Sequence, residues 1–172
     1  MKKLLLISLL ICLPCFASEQ SVLQDTQNTF NAQFRTVDTS KASQVEKDVM
    51  GLILVSQRYI ATLQTNNLID VGNLLIKKIN VHPNQAIKNE GLFTAYMCKA
   101  MGYLFQYKFK ETYEALAQMN KYKAYAQGGQ QQYNRIYNMA VTAEKAYNRY
   151  KDMGYDMNSQ STQTMIKRQL GL

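Results

Sequence analysis

Between Gln131 and Lys151, the residues Tyr133, Ile136, Tyr137, Ala140, Ala143, Tyr147 and Tyr150 recur at steps of three and four. That spacing matches the turn of an α-helix and holds all seven on one face for about five turns, with Arg135, Glu144, Lys145 and Arg149 elsewhere. The same recurrence runs through Val45, Val49, Leu52, Tyr59, Ile60 and Leu63, and again through Leu68, Val71, Leu75 and Ile79. It continues through Leu92, Phe93, Tyr96, Ala100, Tyr103 and Leu104, and through Phe109, Thr112, Tyr113, Leu116 and Met119. No stretch alternates β-branched and polar residues between turn signals, so the chain is expected to be all-α, with antiparallel helical hairpins of about five to six helices.

Breakers set the expected boundaries. A first helix runs from Lys41 to about Gln64 and turns at Thr65–Asn67; a second starts at Leu68 and stops at Pro83. Asn84 caps a third through Phe105, a turn occupies Gln106–Lys108, and a fourth helix starts at Phe109. Gly128 and Gly129 mark a break before a long helix over 130–152, which Gly154 ends; a short helix follows near 162–170. Residues 18–40, rich in Gln, Asn and Thr, form either a polar arm or a weak helix ahead of a single helical domain, 41–172.

Residues 1–17, MKKLLLISLLICLPCFA, have a basic start, an apolar run from Leu4 to Cys12 and a small residue, Ala17, at a cleavage position. They read as a cleaved signal peptide, because the run is short of the roughly 20 residues of a membrane span. Export to the periplasm or beyond the cell is expected. Lipidation at Cys15 is an alternative that Pro14, directly before it, fits poorly. Removal of 1–17 leaves 155 residues with 18 basic and 12 acidic side chains, a net charge of +6. It also leaves Cys98 as the single thiol, set among apolar residues at helical spacing, where a cysteine behaves as a small hydrophobe.

Several chemistries lack their residues. With one histidine, His82, and one remaining cysteine, the ligand sets of zinc or haem sites are missing, and no cofactor is expected. His82 lies beside Pro83 and reads as a solvated loop residue. No spaced glycines with a lysine form a phosphate loop. Glu111 and Glu114, three apart at the start of a helix, suit the helix N-terminus better than acid–base work. The chain is not read as an enzyme. Its basic residues are spread out, which favours weak association with anionic surfaces; export and the absence of a recognition module argue against nucleic acid.

The stretches LIDVGNLLIKKINVHP and YKFKETYEALAQM share a layout in which Leu68, Val71 and Leu75 correspond to Phe109, Thr112 and Leu116. Pro83 falls fifteen residues after Leu68, and Tyr96, Ala100 and Tyr103 keep a large, small, large order in the helix before Phe109. Over about 52–126 the chain resembles a tetratricopeptide repeat array, and an ordinary antiparallel bundle is the alternative. The likeness departs from the family at Tyr59, where a small residue is usual, at Thr112, where alanine is, and at Gly102. The two units are 41 residues apart, so an insertion near Ala86–Leu92 is implied.

The resemblance implies that the first helix of each unit lines a groove for an extended peptide or a helix. On this chain the groove positions are Ile53, Ser56, Ile60 and Leu63 in one unit, and Thr94, Met97, Met101 and Leu104 in the next. Either the helix over 130–152 covers this surface or a partner does. Tyr122, Tyr125 and Tyr155 fall outside the helical stripes and read as further contact residues. The expected function is an exported protein–protein interaction module of an envelope, secretion or surface assembly. The alternatives are a secreted factor binding a host or anionic envelope polymers, and a cell-wall hydrolase.

Overall fold

The computed structural model describes residues 19–170, which carry seven α-helices and no strand. Helix α1 covers 19–33; then come α2 (Gln44–Ala61), α3 (Thr65–Asn80), α4 (Gln85–Leu104) and α5 (Phe109–Tyr122). A 3-10 turn (Lys123–Tyr125), α6 (Gly129–Asp152) and α7 (Gln160–Gln169) follow. The chain is all-α, with more helices than the five to six expected. The leader segment 1–17 lies outside the described residues, and among those described no helix is long and apolar enough to cross a membrane.

The added helix is α1. Its apolar stripe is thin, but Val22, Thr26 and Phe30 stand four apart and are all buried, and the Thr26 hydroxyl donates back to the Val22 carbonyl over 2.7 Å. Polar contacts pin it to the next two helices. Asp25 pairs with Arg58 and accepts from Tyr59 Oη at 2.6 Å, and Glu19 pairs with Lys77 at 2.9 Å. Helix α2 starts in a capping box, where the Ser43 N–H donates to Glu46 Oε2 at 2.7 Å and Ser43 Oγ accepts from the Glu46 N–H at 3.3 Å.

The turn expected at Thr65–Asn67 is displaced, since those residues form the first turn of α3. Helix α2 ends three residues earlier. The Leu63 N–H donates to the Ile60 carbonyl and the Gln64 N–H to the Tyr59 carbonyl, with Leu63 in the left-handed region at φ 53°. That is a Schellman cap, a position glycine usually fills. Helix α4 closes in the same way at Tyr107 (φ 57°), and α6 at Gly154 (φ 80°). Gly128 and Gly129 act differently from each other: Gly128 takes the left-handed conformation (φ 66°), whereas Gly129 is the first residue of α6. A Cβ on Gly129 would lie 2.2 Å from the Lys123 carbonyl oxygen.

Consecutive helices joined by short turns pack side by side, and α4 stands between two cores. One core gathers Val22, Leu52, Tyr59, Leu68, Leu75 and Ile79 with Cys98 of α4. The other gathers Phe93 and Leu104 of α4 with Leu116 and Met119 of α5 and Ile136, Ala140 and Ala143 of α6. Met101 touches both cores. The α3–α4 contact is close because glycines face it: a Cβ on Gly72 would lie 2.7 Å from the Ala95 carbonyl oxygen, and one on Gly102 would lie 2.9 Å from that of Thr65.

His82 is not solvated. It is 4% exposed, and its Nδ1 accepts the Asn84 N–H at 3.1 Å while Asn84 Oδ1 caps α4 through the Ala86 and Ile87 N–H groups. The ring lies beside Val49 and Met50 of α2 and Ile87 of α4, which is why a position beside a proline ends up buried.

Candidate functional site

The groove positions drawn from the sequence separate into two sets. Leu104 lies in the second core at 1% exposure, and Ser56 is buried with its hydroxyl donating to the Ile53 carbonyl at 2.7 Å. Ile53 is partly buried against the first core, and the Thr94 hydroxyl donates to the Glu90 carbonyl at 3.2 Å. Leu104, Ser56 and Ile53 are taken up within the fold, and Thr94 turns its hydroxyl back onto its own helix. Ile60, Leu63, Met97 and Met101 instead converge on a pocket of about 350 Å³.

Three parts of the chain build that pocket. The end of α2 and its turn supply Ile60 and Leu63; α4 supplies Met97 and Met101, with Phe105 just beyond it. The wall opposite is α6, through Gln132, Arg135, Ile136 and Met139. Seven of these nine residues are apolar. Helix α6 therefore lies across from α4 on this surface and leaves a cavity between itself and Met97, Met101 and Phe105. The sequence offered the helix over 130–152 as a possible cover of this surface but did not single out Gln132, Arg135, Ile136, Met139 or Phe105 as its contacts: 25 positions separate the start of α6 from the end of α4, and periodicity does not say which residues of two such helices meet.

Helix α6 is held in place by groups on its other flank. Tyr113 Oη donates to Glu144 Oε2 at 2.8 Å, the Tyr113 ring meets Tyr137 edge-on at 6.2 Å, and Phe109 and Tyr147 make a similar contact at 5.5 Å. Burial first, and then the carboxylate of Glu144, push the Tyr113 hydroxyl up to about 12. Glu144, which the spacing places off the apolar face, is thus an anchor between helices.

Leu63 stands out at the pocket rim. A left-handed conformation costs a residue with a Cβ about 1–2 kcal/mol, and glycine would remove that cost. Tyr107, the other such residue, is explained by its side chain, which donates to the Gln163 carbonyl at 3.2 Å and packs on Tyr147. Leu63 has no comparable tie; what its side chain does is line the pocket.

Arg135 is the one ionisable residue of the lining and has no carboxylate partner among the described residues. It also lines an adjoining cavity of about 310 Å³ with Asn138, Met139, Thr142, Gln169 and Leu170, so Arg135 and Met139 form the ridge between the two.

The remaining candidates are scattered. Tyr122 is half-buried and stacks on Tyr96 with ring centres 6.1 Å apart, whereas Tyr125 is 57% exposed and Tyr155 is 46% exposed against Tyr150. None of the three reaches the pocket. Glu111 and Glu114 are exposed beside Tyr96 and Tyr103 on the opposite side of α4. Cys98 is fully buried, and burial pushes its thiol up to about 12, which leaves it a packing group. Among the described residues no three His, Cys, Asp or Glu side chains gather closely enough to hold a metal ion. A second apolar cavity, of about 380 Å³, lies at the other end of α3, where His82 meets Val49, Met50 and Ile87; no reading of the sequence pointed to it.

Comparison of the chain with protein-family models, with curated proteins and with solved structures returned no match.

Proposed function

We propose that this chain is an exported docking module, an accessory or scaffold component of an envelope, secretion or surface assembly, with TPR-like hairpins presenting the pocket between α2, α4 and α6. The observation that carries the reading is the meeting of Ile60, Leu63, Met97 and Met101, four of the eight groove positions that the tetratricopeptide resemblance implies, with an apolar wall from α6. The pocket is at the lower end of the roughly 300–1,000 Å³ range of ligand sites, which suits an apolar side chain or two of a partner segment rather than a large cofactor. Its methionines are flexible and polarisable, a property of surfaces that accept varied apolar side chains.

The test is photo-crosslinking in the cell of origin from a benzoylphenylalanine placed at Met97, at Met139, or at Val81, which is 71% exposed at the far end of α3. Met97 and Met139 should capture the same protein, and Met101→Glu should abolish the capture while the fold survives. Capture that is equal from Val81, or unaffected by Met101→Glu, would sink the reading.

A second reading is attachment to an anionic polymer. It is favoured by Lys145, Arg149, Lys151, Lys167 and Arg168 on α6 and α7, none of which forms an ion pair among the described residues. Salt separates the two, because polymer attachment weakens steeply with ionic strength and an apolar contact does not.

A further inference from the structure

We infer that the segment docked in this pocket is an acidic one: an apolar side chain that enters the well, flanked by an Asp or Glu whose carboxylate seats on Arg135. The inference rests on the docking reading and adds the chemistry of the partner.

Charge complementarity carries it. Arg135 is the single ionisable group of the apolar well, and the adjoining cavity that shares it adds Asn138, Thr142 and Gln169 but no acid. A basic partner residue at this ridge would meet Arg135 with no carboxylate in either lining to offset the repulsion. An acidic one meets a planar guanidinium with five N–H donors, which matches a carboxylate two bonds at a time. The +6 surplus across residues 18–172 adds an attraction of the same sign at longer range.

The order of the two cavities also orients the ligand. The well at Met97 and Met101 is apolar, Arg135 and Met139 make the ridge, and the shelf beyond is mixed, with Asn138, Thr142 and Gln169 beside Leu170. A segment lying across them presents its apolar anchor and then its carboxylate. Arg135 is exposed on α6 and outside both cores, so the fold does not need its charge. Among the described residues no carboxylate pairs with its guanidinium, which leaves it available to a ligand.

The test selects linear peptides, displayed without a free C-terminus, on the full chain expressed with its own leader, discarding those that also bind Met101→Glu. The retained peptides should carry Asp or Glu within two residues of Leu, Ile, Met or Phe. A synthetic, amidated copy should lose about tenfold or more in affinity on Arg135→Glu and less on Arg135→Lys, which keeps the charge but not the two-bond geometry. Changing its acid to lysine should restore binding to Arg135→Glu. Unchanged thermal unfolding of the Arg135 variants shows that the fold is intact.

Peptides that depend on Met101 but show no acidic preference and no loss on Arg135→Glu overturn the inference and leave the docking reading standing. Peptides that bind only with a free C-terminal carboxylate also overturn it, since the acid would then be a chain end. If no peptide depends on Met101, the docking reading falls and takes the inference with it. A wild-type dimer that Met101→Glu converts to a monomer would assign the pocket to a second copy and overturn the acidic segment.

Discussion

Tyr113 Oη donates to Glu144 Oε2 across 2.8 Å, joining α5 to α6 eight residues beyond Ile136. Eight residues are about two helical turns, so this bond fixes the rotation at which α6 presents Ile136 and Met139 to the pocket. Removing one partner should loosen the wall without emptying a core.

The same bond predicts an alkaline weakness. The Tyr113 hydroxyl is raised to about 12 by burial and by Glu144, and Tyr59 is raised to about 12 by burial and by Asp25. A tyrosine whose value in the fold exceeds the unfolded value of about 10 contributes stability that is whole below pH ~10 and is lost as pH climbs towards 12. Thermal unfolding followed between pH 9 and 12 should show the melting temperature falling over that window. Tyr113→Phe should flatten part of the fall, and Tyr113→Phe with Tyr59→Phe more of it. An identical slope in the double variant would refute the assignment.

Leu63 predicts an inverted substitution order. Leu63→Gly should cost little, within about 1 kcal/mol, because relief of the left-handed backbone offsets the lost side chain. Leu63→Val, although apolar, should cost more than Leu63→Gly, since a β-branched residue suits that conformation least. Chemical denaturation of the two variants decides the matter; a valine better tolerated than glycine would mean that the backbone at Leu63 is unstrained.

The glycines of the α3–α4 contact should rank by what their new methyl group meets. Gly72→Ala and Gly102→Ala would press on the carbonyl oxygens of Ala95 and Thr65, whereas Gly91→Ala would press on the Ile79 side chain, which has rotamers to give. The first two should cost about 1–3 kcal/mol and Gly91→Ala less, as read from denaturation midpoints.

Cys98 should resist modification in the folded chain. Burial raises its thiol to about 12 and leaves it 0% exposed, so iodoacetamide at neutral pH should label it only in denaturant. Rapid labelling of the native protein would show that the first core opens.

The class of the fold was legible because it is local. Helical spacing at Leu68, Val71 and Leu75, or at Phe109, Thr112 and Leu116, needs only near neighbours, and α5 begins at Phe109 as expected. Helix α1 was only half legible, because Val22, Thr26 and Phe30 are diluted by polar residues and much of its attachment is by Asp25 and Glu19. The α2–α3 turn was misplaced because its left-handed residue is leucine, which gives no sign of a turn, while Asn66 and Asn67 do. His82 was misread for a different reason: it lies beside Val49 and Met50 of α2, a tertiary contact of a loop residue that leaves no periodic trace. At the candidate site, Ile60, Leu63, Met97 and Met101 followed from the tetratricopeptide resemblance, which also nominated Ile53, Ser56, Thr94 and Leu104 outside the pocket, whereas Arg135 and Met139 depend on how α6 crosses α4, a long-range relation that no spacing encodes.

The most direct test of the docking account is a methyl-labelled methionine NMR titration of the chain with a peptide selected on it. Met97, Met101 and Met139 line the pocket, whereas Met50 and Met153 are exposed outside it and serve as controls. The account predicts that the Met97, Met101 and Met139 methyl signals shift together and saturate while those of Met50 and Met153 stay in place. Saturating shifts at Met50, beside His82, with none at Met101 would contradict it and move the docking site to the opposite end of α3.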